Sequence, residues 1–279
     1  MPPTLCTPDD EKSCFACCPP IRPPGYEHFH YTNEIKRVLR ENTASLRKGD
    51  TSVSPITGFS CWALGYLDGG FKRIGCLLHP FQNGGEDLRY RVDYAGKCAR
   101  ESCVEAGIFQ LLVPEAKSFW LRLSHALDSF SYSSRTLNPL FRVLGWGAPV
   151  LNLVAMAEKE GSLSGDSILE RYCFFKTALP PRANAYLLRA LIDSETLDLL
   201  KNPRFVGGFE EVSDRLSKEL SLQALGSSTA PYVHSLPMET DFLDFLRLSG
   251  RIVKAVREEA ASLKEFTDHE LALFRDEFS

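Results

Sequence analysis

Long apolar runs are missing from this sequence. No window approaches the roughly 20 unbroken apolar residues that a membrane-crossing helix needs, so no membrane span is expected. A strong charge of either sign is missing too: 279 residues carry a net charge of −4, which leaves no global basic field to hold nucleic acid. The first residues, MPPTLCTPDDEKSC, lack the basic start and apolar stretch of a secretory signal. The expected location is the reducing cytoplasm, where nine cysteines point away from disulfides and toward metal or redox chemistry. No Walker loop, Gly-x-Ser-x-Gly elbow or His-Glu-x-x-His helix occurs, and the carboxylates are scattered. Internal repeats and long low-complexity linkers are absent as well.

What most of the chain lacks, its start holds in excess. Eight of the nine cysteines lie at or before Cys103: Cys6, Cys14, Cys17, Cys18, Cys61, Cys76, Cys98 and Cys103. Only Cys173 falls outside, in the apolar run Tyr172-Cys-Phe-Phe, where a packed thiol acting as a small hydrophobe is expected. The same stretch carries CCPPIRPPGY, LDGGF and HPFQNGGEDL, which make turns rather than long elements. A loop-rich segment needs another source of order, and metal ligation would supply it. These features divide the chain into a cysteine-rich region, 1–105, and a helical region, 106–279, which can share one core.

Periodicity predicts a mainly α protein, its cysteine-rich, loop-rich N-terminal part packed on a helical C-terminal part. Over residues 33–47, Ile35, Val38, Leu39 and Leu46 share one side of a helix. Lys36, Arg37, Arg40 and Arg47 fall elsewhere, as a solvated basic face, and Gly49 is the stop. Residues 59–68 fit either a short buried strand or an irregular apolar turn. Pro114-Glu115 opens a helix in which Phe119, Trp120, Leu123, Leu127 and Phe130 recur at helical spacing. A helix after Pro180-Pro181 carries Tyr186, Leu187, Ala190 and Leu191, and Ser194 caps a short one with Leu197 and Leu200. Residues 210–225 place Val212, Leu216 and Leu220 on one stripe that ends at Gly226. Thr240 or Asp241 caps one long last helix, with Phe242, Phe245, Leu246, Ile252, Val256, Leu263 and Phe266 on its apolar face.

The chemistry lies in the cysteines. In Cys14-Phe-Ala-Cys17-Cys18, the C-x-x-C spacing lets two thiolates converge on one ion, as in zinc and iron–sulfur sites. Thioredoxin-type redox pairs share that spacing, but no βαβ pattern surrounds it here. The adjacent Cys18 is harder to aim the same way. It serves a second metal, reaches round after a bend, or stays a packed thiol. Cys98 and Cys103 stand in Lys-Cys-Ala-Arg-Glu-Ser-Cys. His79 is a ligand candidate because it follows Cys76 by three residues and precedes Pro80. His28-Phe-His30 would put two imidazoles on one side of an extended segment. Asn83-Gly-Gly-Glu-Asp is a turn, neither a phosphate loop nor a dinucleotide fingerprint. The hydroxyl-rich run 128–135 either satisfies a helix end or lines a pocket in which Arg135 faces an anion.

This order of cysteines resembles the CxxCC zinc- or iron-chelating (YkgJ-like) family, related to the cysteine-rich part of flagellin lysine methylases. Members carry C-x-x-x-C-x-x-C-C, then C-x-F-L, then C-x-I-Y-x-x-R-P-x-x-C-R. Cys14, Cys17 and Cys18 match the end of the first motif, Cys61-Trp-Ala-Leu stands for the second, and Cys76-Leu-Leu-His79-Pro80 for the start of the third. Asp10 occupies the place four before Cys14, with Cys6 as a shifted substitute. The R-P-x-x-C-R element is absent, so Cys98 and Cys103 would replace its cysteine. The resemblance implies metal or cluster binding by Cys14, Cys17, Cys18, Cys61, Cys76, Cys98 and Cys103. Cysteines gathered from distant loops without a second knuckle suit a 4Fe-4S cluster better than zinc, and seven or eight of them can also make two sites. The expected role is structural, sensing or accessory, with a protein partner and neither nucleic acid nor membrane. The alternatives are a cluster-dependent enzyme that modifies a protein, and a structural-zinc protein without catalysis.

Overall fold

In a computed structural model of the chain, the described residues are 3–18, 27–47, 61–92, 95–100, 103–158, 163–223 and 230–278. The protein is mainly α. Its helices are α1 (Thr32–Arg47), α2 (Ala95–Arg100), α3 (Val104–Leu111), α4 (Pro114–Leu121), α5 (Ser129–Ser133) and α6 (Pro139–Leu144). There follow α7 (Ala148–Ala157), α8 (Gly165–Arg171), α9 (Pro181–Leu191), α10 (Pro203–Gln223), α11 (Thr240–Leu248) and α12 (Arg257–Asp276). Among the described residues the only sheet is an antiparallel pair, β1 (Leu64–Tyr66) and β2 (Ile74–Cys76), in the register Leu64↔Cys76, Gly65↔Gly75 and Tyr66↔Ile74. Among the described residues, no helix is long and apolar enough to cross a membrane. The chain divides into two compact units, one of residues 1–111 and 123–141, the other of residues 112–122 and 142–279.

The first unit is organised by α1 and the β1–β2 hairpin. Ile35 and Leu39, one turn apart, are buried on α1, while Arg37 on the outer face pairs with Glu34 and Glu41. Arg40 lies over the Phe71 ring, so the basic face is solvated and partly stacked. Of residues 59–68, those at 64–66 form the buried strand β1; Phe59 and Ser60 lie outside the described residues, as does Gly49. Asp68 closes the hairpin, its carboxylate accepting the amides of Gly70, Lys72 and Arg73. Phe15, Ile35, Leu39, Leu64, Ile74, Leu78, Val92 and Phe130 form the core of this unit, with Cys61 among them.

In the second unit, α9 packs on α11 and α12. Its aromatic core includes Trp146 against Phe174 (centroids 4.9 Å apart) and Phe174 against Phe209 (5.0 Å). Val212, Leu216 and Leu220 are buried along α10, which begins seven residues before the expected start; Gly226 lies outside the described residues.

Three expectations need correction. The stripe from Phe119 to Phe130 is not one helix: α4 ends at Leu121, a 3-10 turn follows, and Asp128 accepts the amide of Ser131 to start α5. Phe119 and Trp120 belong to the second unit and Phe130 to the core of the first. The last helix is likewise two. The amides of Ser249 and Gly250 both donate to the Phe245 carbonyl (2.9 and 3.1 Å), and that of Ile252 to Leu246 (2.9 Å), ending α11. Arg251 then takes φ +56°, and Lys254 bridges Tyr232 before α12. Ser194 caps nothing: Asp193 accepts the amides of Glu195 and Thr196 instead.

Candidate metal centre

Cys14 is held by its neighbours on both sides. The Ser13 hydroxyl donates to the Ile74 carbonyl and accepts from the Ile74 amide, both at 2.7 Å, tying this segment to β2. The Ser13 amide donates to Ser129 Oγ (3.1 Å) and the Phe15 amide to Ser133 Oγ (3.0 Å), and Phe15 packs edge-on against Phe130 at 5.3 Å. The hydroxyls of Ser129 and Ser133 therefore hold the cysteine loop, and Arg135 pairs with Glu105. The Cys14 amide donates to the Cys6 carbonyl at 2.9 Å, which brings the first cysteine alongside. A turn then carries the chain to Cys18, whose amide donates to the Phe15 carbonyl (2.9 Å).

Cys61 and Cys76 are placed by α1 and the hairpin. Asn42 Nδ2 donates to the carbonyls of Cys61 (3.2 Å) and Leu64 (2.9 Å), and Thr43 Oγ1 accepts the Tyr66 amide at 2.8 Å. Cys76 ends β2 opposite Leu64. Cys61 is buried, and Cys18 and Cys76 pack against the same core. Arg89 Nη1 donates to the Cys98 carbonyl at 2.7 Å, tying α2 to the 3-10 turn Arg89–Arg91. Cys103 begins α3.

The thiols report on one another. Burial raises the Cys14 thiol strongly, and the charges of Cys6, Cys17 and Cys103 raise it further. A hydrogen bond with the Cys17 thiol raises Cys18 well above the ordinary range; burial adds to this, then the charges of Cys17, Cys76 and Cys61. Burial and then Cys17 raise Cys6, whereas Cys76 is raised by burial and by Cys98. Burial, with Glu105 and Cys6, pushes Cys103 up to about 11. Opposing these effects, amides aim at sulfur: Ala16 N lies 3.4 Å from Cys14 Sγ, Ala106 N lies 3.4 Å from Cys103 Sγ, and the Leu78 and His79 amides serve Cys76. Among the described residues, no three Cys, His, Asp or Glu side chains are arranged to hold a metal ion.

Burial disfavours thiolates here and the amides directed at the sulfurs favour them; a soft cation beside the sulfurs would offset the burial. The Trp62 indole N–H, next to Cys61, is buried and has no acceptor among the described residues, as a donor to a ligating sulfur would be.

His79 caps the 3-10 turn Pro80–Gln82, its Nδ1 accepting from the Phe81 amide at 3.3 Å; burial and then Arg89 lower its pKa. His28–Tyr31 is a 3-10 turn rather than an extended segment, which removes the shared side expected for His28 and His30. The His28 side chain lies outside the described residues, and His30 is exposed against Phe29. Gly84 and Gly85, at φ +62° and +99°, make the predicted turn. Cys173, in the second unit, is half-buried with Sγ 3.8 Å from the Leu200 carbonyl. Comparison with family models, with curated proteins and with solved structures returns no match.

Proposed function

We propose that this chain binds metal, as a 4Fe-4S cluster in preference to zinc, through cysteines of its first unit, with a structural, sensing or accessory role toward a protein partner. One observation carries the reading: cysteines far apart in sequence, from Cys6 to Cys103, lie within electrostatic reach of one another, and backbone amides point at several of their sulfurs. Thiol ligands bind metal as thiolates, so loading this site would release protons.

Anaerobic purification tests it directly. Brown protein with broad absorption near about 400 nm, carrying iron and acid-labile sulfide, is expected for a cluster. Colourless protein carrying zinc moves the assignment to structural zinc, and protein free of both metals after reconstitution ends the reading.

An enzyme that modifies a protein is the second reading, and one observation favours it. A cavity of about 470 Å³ in the first unit is lined by Lys12 and Ile74, each two residues from a cysteine of the site. Lys36, Lys72, His125 and Asp128 also line it, although Lys12 and Lys72 already pair with Asp9 and Glu11. Turnover of a peptide that Lys36→Ala abolishes, with metal content unchanged, would favour this reading.

A further inference from the structure

Phe71, in the turn of the β1–β2 hairpin, takes φ +57°, a left-handed conformation that is costly for an aromatic residue. Gly69 and Gly70, immediately before it, stay outside that region although glycine enters it freely. Asp68 imposes the turn by accepting the amides of Gly70, Lys72 and Arg73. The Phe71 ring meets Tyr66 edge-on at 5.0 Å yet stays 48% exposed. Strain that keeps an aromatic ring half in solvent marks a position with a use. With Ile74, Leu127 and Phe130, Phe71 lines the cavity of about 470 Å³ in the first unit. Small-molecule sites occupy about 300–1,000 Å³. Ser129 Oγ donates to the Lys72 carbonyl at 2.6 Å, fixing the hairpin turn to α5 and so one wall of the cavity to another.

Most charges around this cavity are already matched. Lys12 pairs with Asp9 at 2.6 Å, Lys72 pairs with Glu11, and Asp128 accepts the Ser131 amide at 2.8 Å. Two cations of α1 are not matched. Arg37 takes both Glu34 and Glu41, which leaves Lys36 and Arg40 without a carboxylate partner among the described residues. Each lies over a ring that lines the cavity: Lys36 Nζ is 5.3 Å from the Phe130 centroid, and Arg40 Cζ is 5.5 Å from that of Phe71. Residues four apart on a helix are neighbours on one face, with about 5–6 Å between Cβ atoms. We propose that the cavity binds a small organic anion with a flat apolar body. Lys36 and Arg40 hold its carboxylate or phosphate group, and Phe71, Ile74 and Leu127 meet its body. Apolar walls with a few charged groups that fix orientation are the usual composition of such sites, and an anion gives each cation a charge-assisted partner. The proposal concerns the cavity of the second reading above, but it rests neither on turnover there nor on metal at the cysteines.

Titration of the isotope-labelled full chain, followed by amide chemical shifts, tests it with benzoate, phenyl phosphate, benzyl alcohol and inorganic phosphate as probes. At least one aryl anion should bind at least about tenfold more tightly than benzyl alcohol or inorganic phosphate, and the tighter of the two anions identifies the headgroup. The shifts should centre on α1 and the hairpin turn. Lys36→Met and Arg40→Met should each weaken that binding by about tenfold. Phe71→Gly, which removes the ring and suits the left-handed backbone, should weaken it while the fold is kept. Lys218→Met, on α10 in the second unit, should bind as the wild type does. Metal content should be the same in all these variants, which reads the metal proposal separately. No shift with either aryl anion at millimolar concentration overturns the proposal, as does binding that none of Lys36→Met, Arg40→Met and Phe71→Gly weakens. Benzyl alcohol binding as tightly as the anions removes the need for charge, and inorganic phosphate binding as tightly as phenyl phosphate removes the need for an apolar body. Either result overturns it too.

Discussion

At the scale of single residues, Ser13 and Trp62 carry the consequences easiest to measure. Ser13 satisfies the amide and the carbonyl of Ile74, a residue only 1% exposed. Ser13→Ala leaves both groups buried and unpaired, so it should cost about 2–3 kcal/mol in urea unfolding and weaken metal binding by loosening Cys14. A loss below about 1 kcal/mol would mean that water or a backbone shift satisfies Ile74 without the hydroxyl. Trp62 behaves in the opposite way. In metal-free protein its indole N–H is an unsatisfied buried donor, so Trp62→Phe should leave stability nearly unchanged, lost packing being offset by removal of the donor. In loaded protein the same change should weaken Co(II) binding by about tenfold, the usual effect of removing a group that supports a ligand. Equal affinities in wild type and variant would remove Trp62 from the site.

At the scale of elements, close backbone approach fixes how α1 meets the hairpin. A Cβ on Gly65 would stand 2.5 Å from Leu77 Cδ1 and 2.6 Å from Thr43 Oγ1, the hydroxyl that accepts the Tyr66 amide. Gly65→Ala should therefore cost about 2–3 kcal/mol by overpacking, read as a lower urea midpoint, and shift Cys61 and Cys76 together. Helix α1 itself was legible in the sequence, because Ile35 and Leu39 repeat at helical spacing and both are buried. The role of α5 was not. Ser129 and Ser133 bond amides more than a hundred residues away, and no local period carries such a contact. Cys6 was legible only as a shifted substitute, since a backbone bond to Cys14, not spacing, brings it in. The break after α11 was hidden by an apolar stripe that continues through Ile252 and Val256, although Gly250 marks it. Asp193 gives this unit an acid response. The Thr196 amide above all, then Arg275 and the Glu195 amide, hold its carboxyl down to about 2, against about 3.9 in an unfolded chain. Because the folded pKa is the lower one, the stabilisation is complete above about pH 4 and lost as pH falls toward 2. The wild type should exceed Asp193→Asn in urea midpoint at pH 6, with the gap narrowing below pH 4. A gap independent of pH would assign the difference to packing.

At the scale of the whole molecule, the cysteines up to Cys103 fall in the first unit and Cys173 in the second. The two units draw on different sources of order. The second has an aromatic core around Trp146, Phe174 and Phe209. The first packs α1 and two short strands on its own core and adds a set of desolvated thiols, so under the proposed metal binding its stability should depend more on what those thiols hold. A metal that binds only the folded state adds RT ln(1 + [L]/Kd), about 4 kcal/mol for one site when free metal is a thousand times Kd. Removing it with a chelator under reducing conditions should therefore act on one unit. Hydrogen exchange measured by mass spectrometry should show amides of α1, β1 and β2 losing protection, while those of α9, α11 and α12 exchange as before. Restoring metal should return the protection. If both units lose protection alike, the metal stabilises the chain as a whole; if neither changes, the thiols of the first unit hold nothing that contributes to its fold.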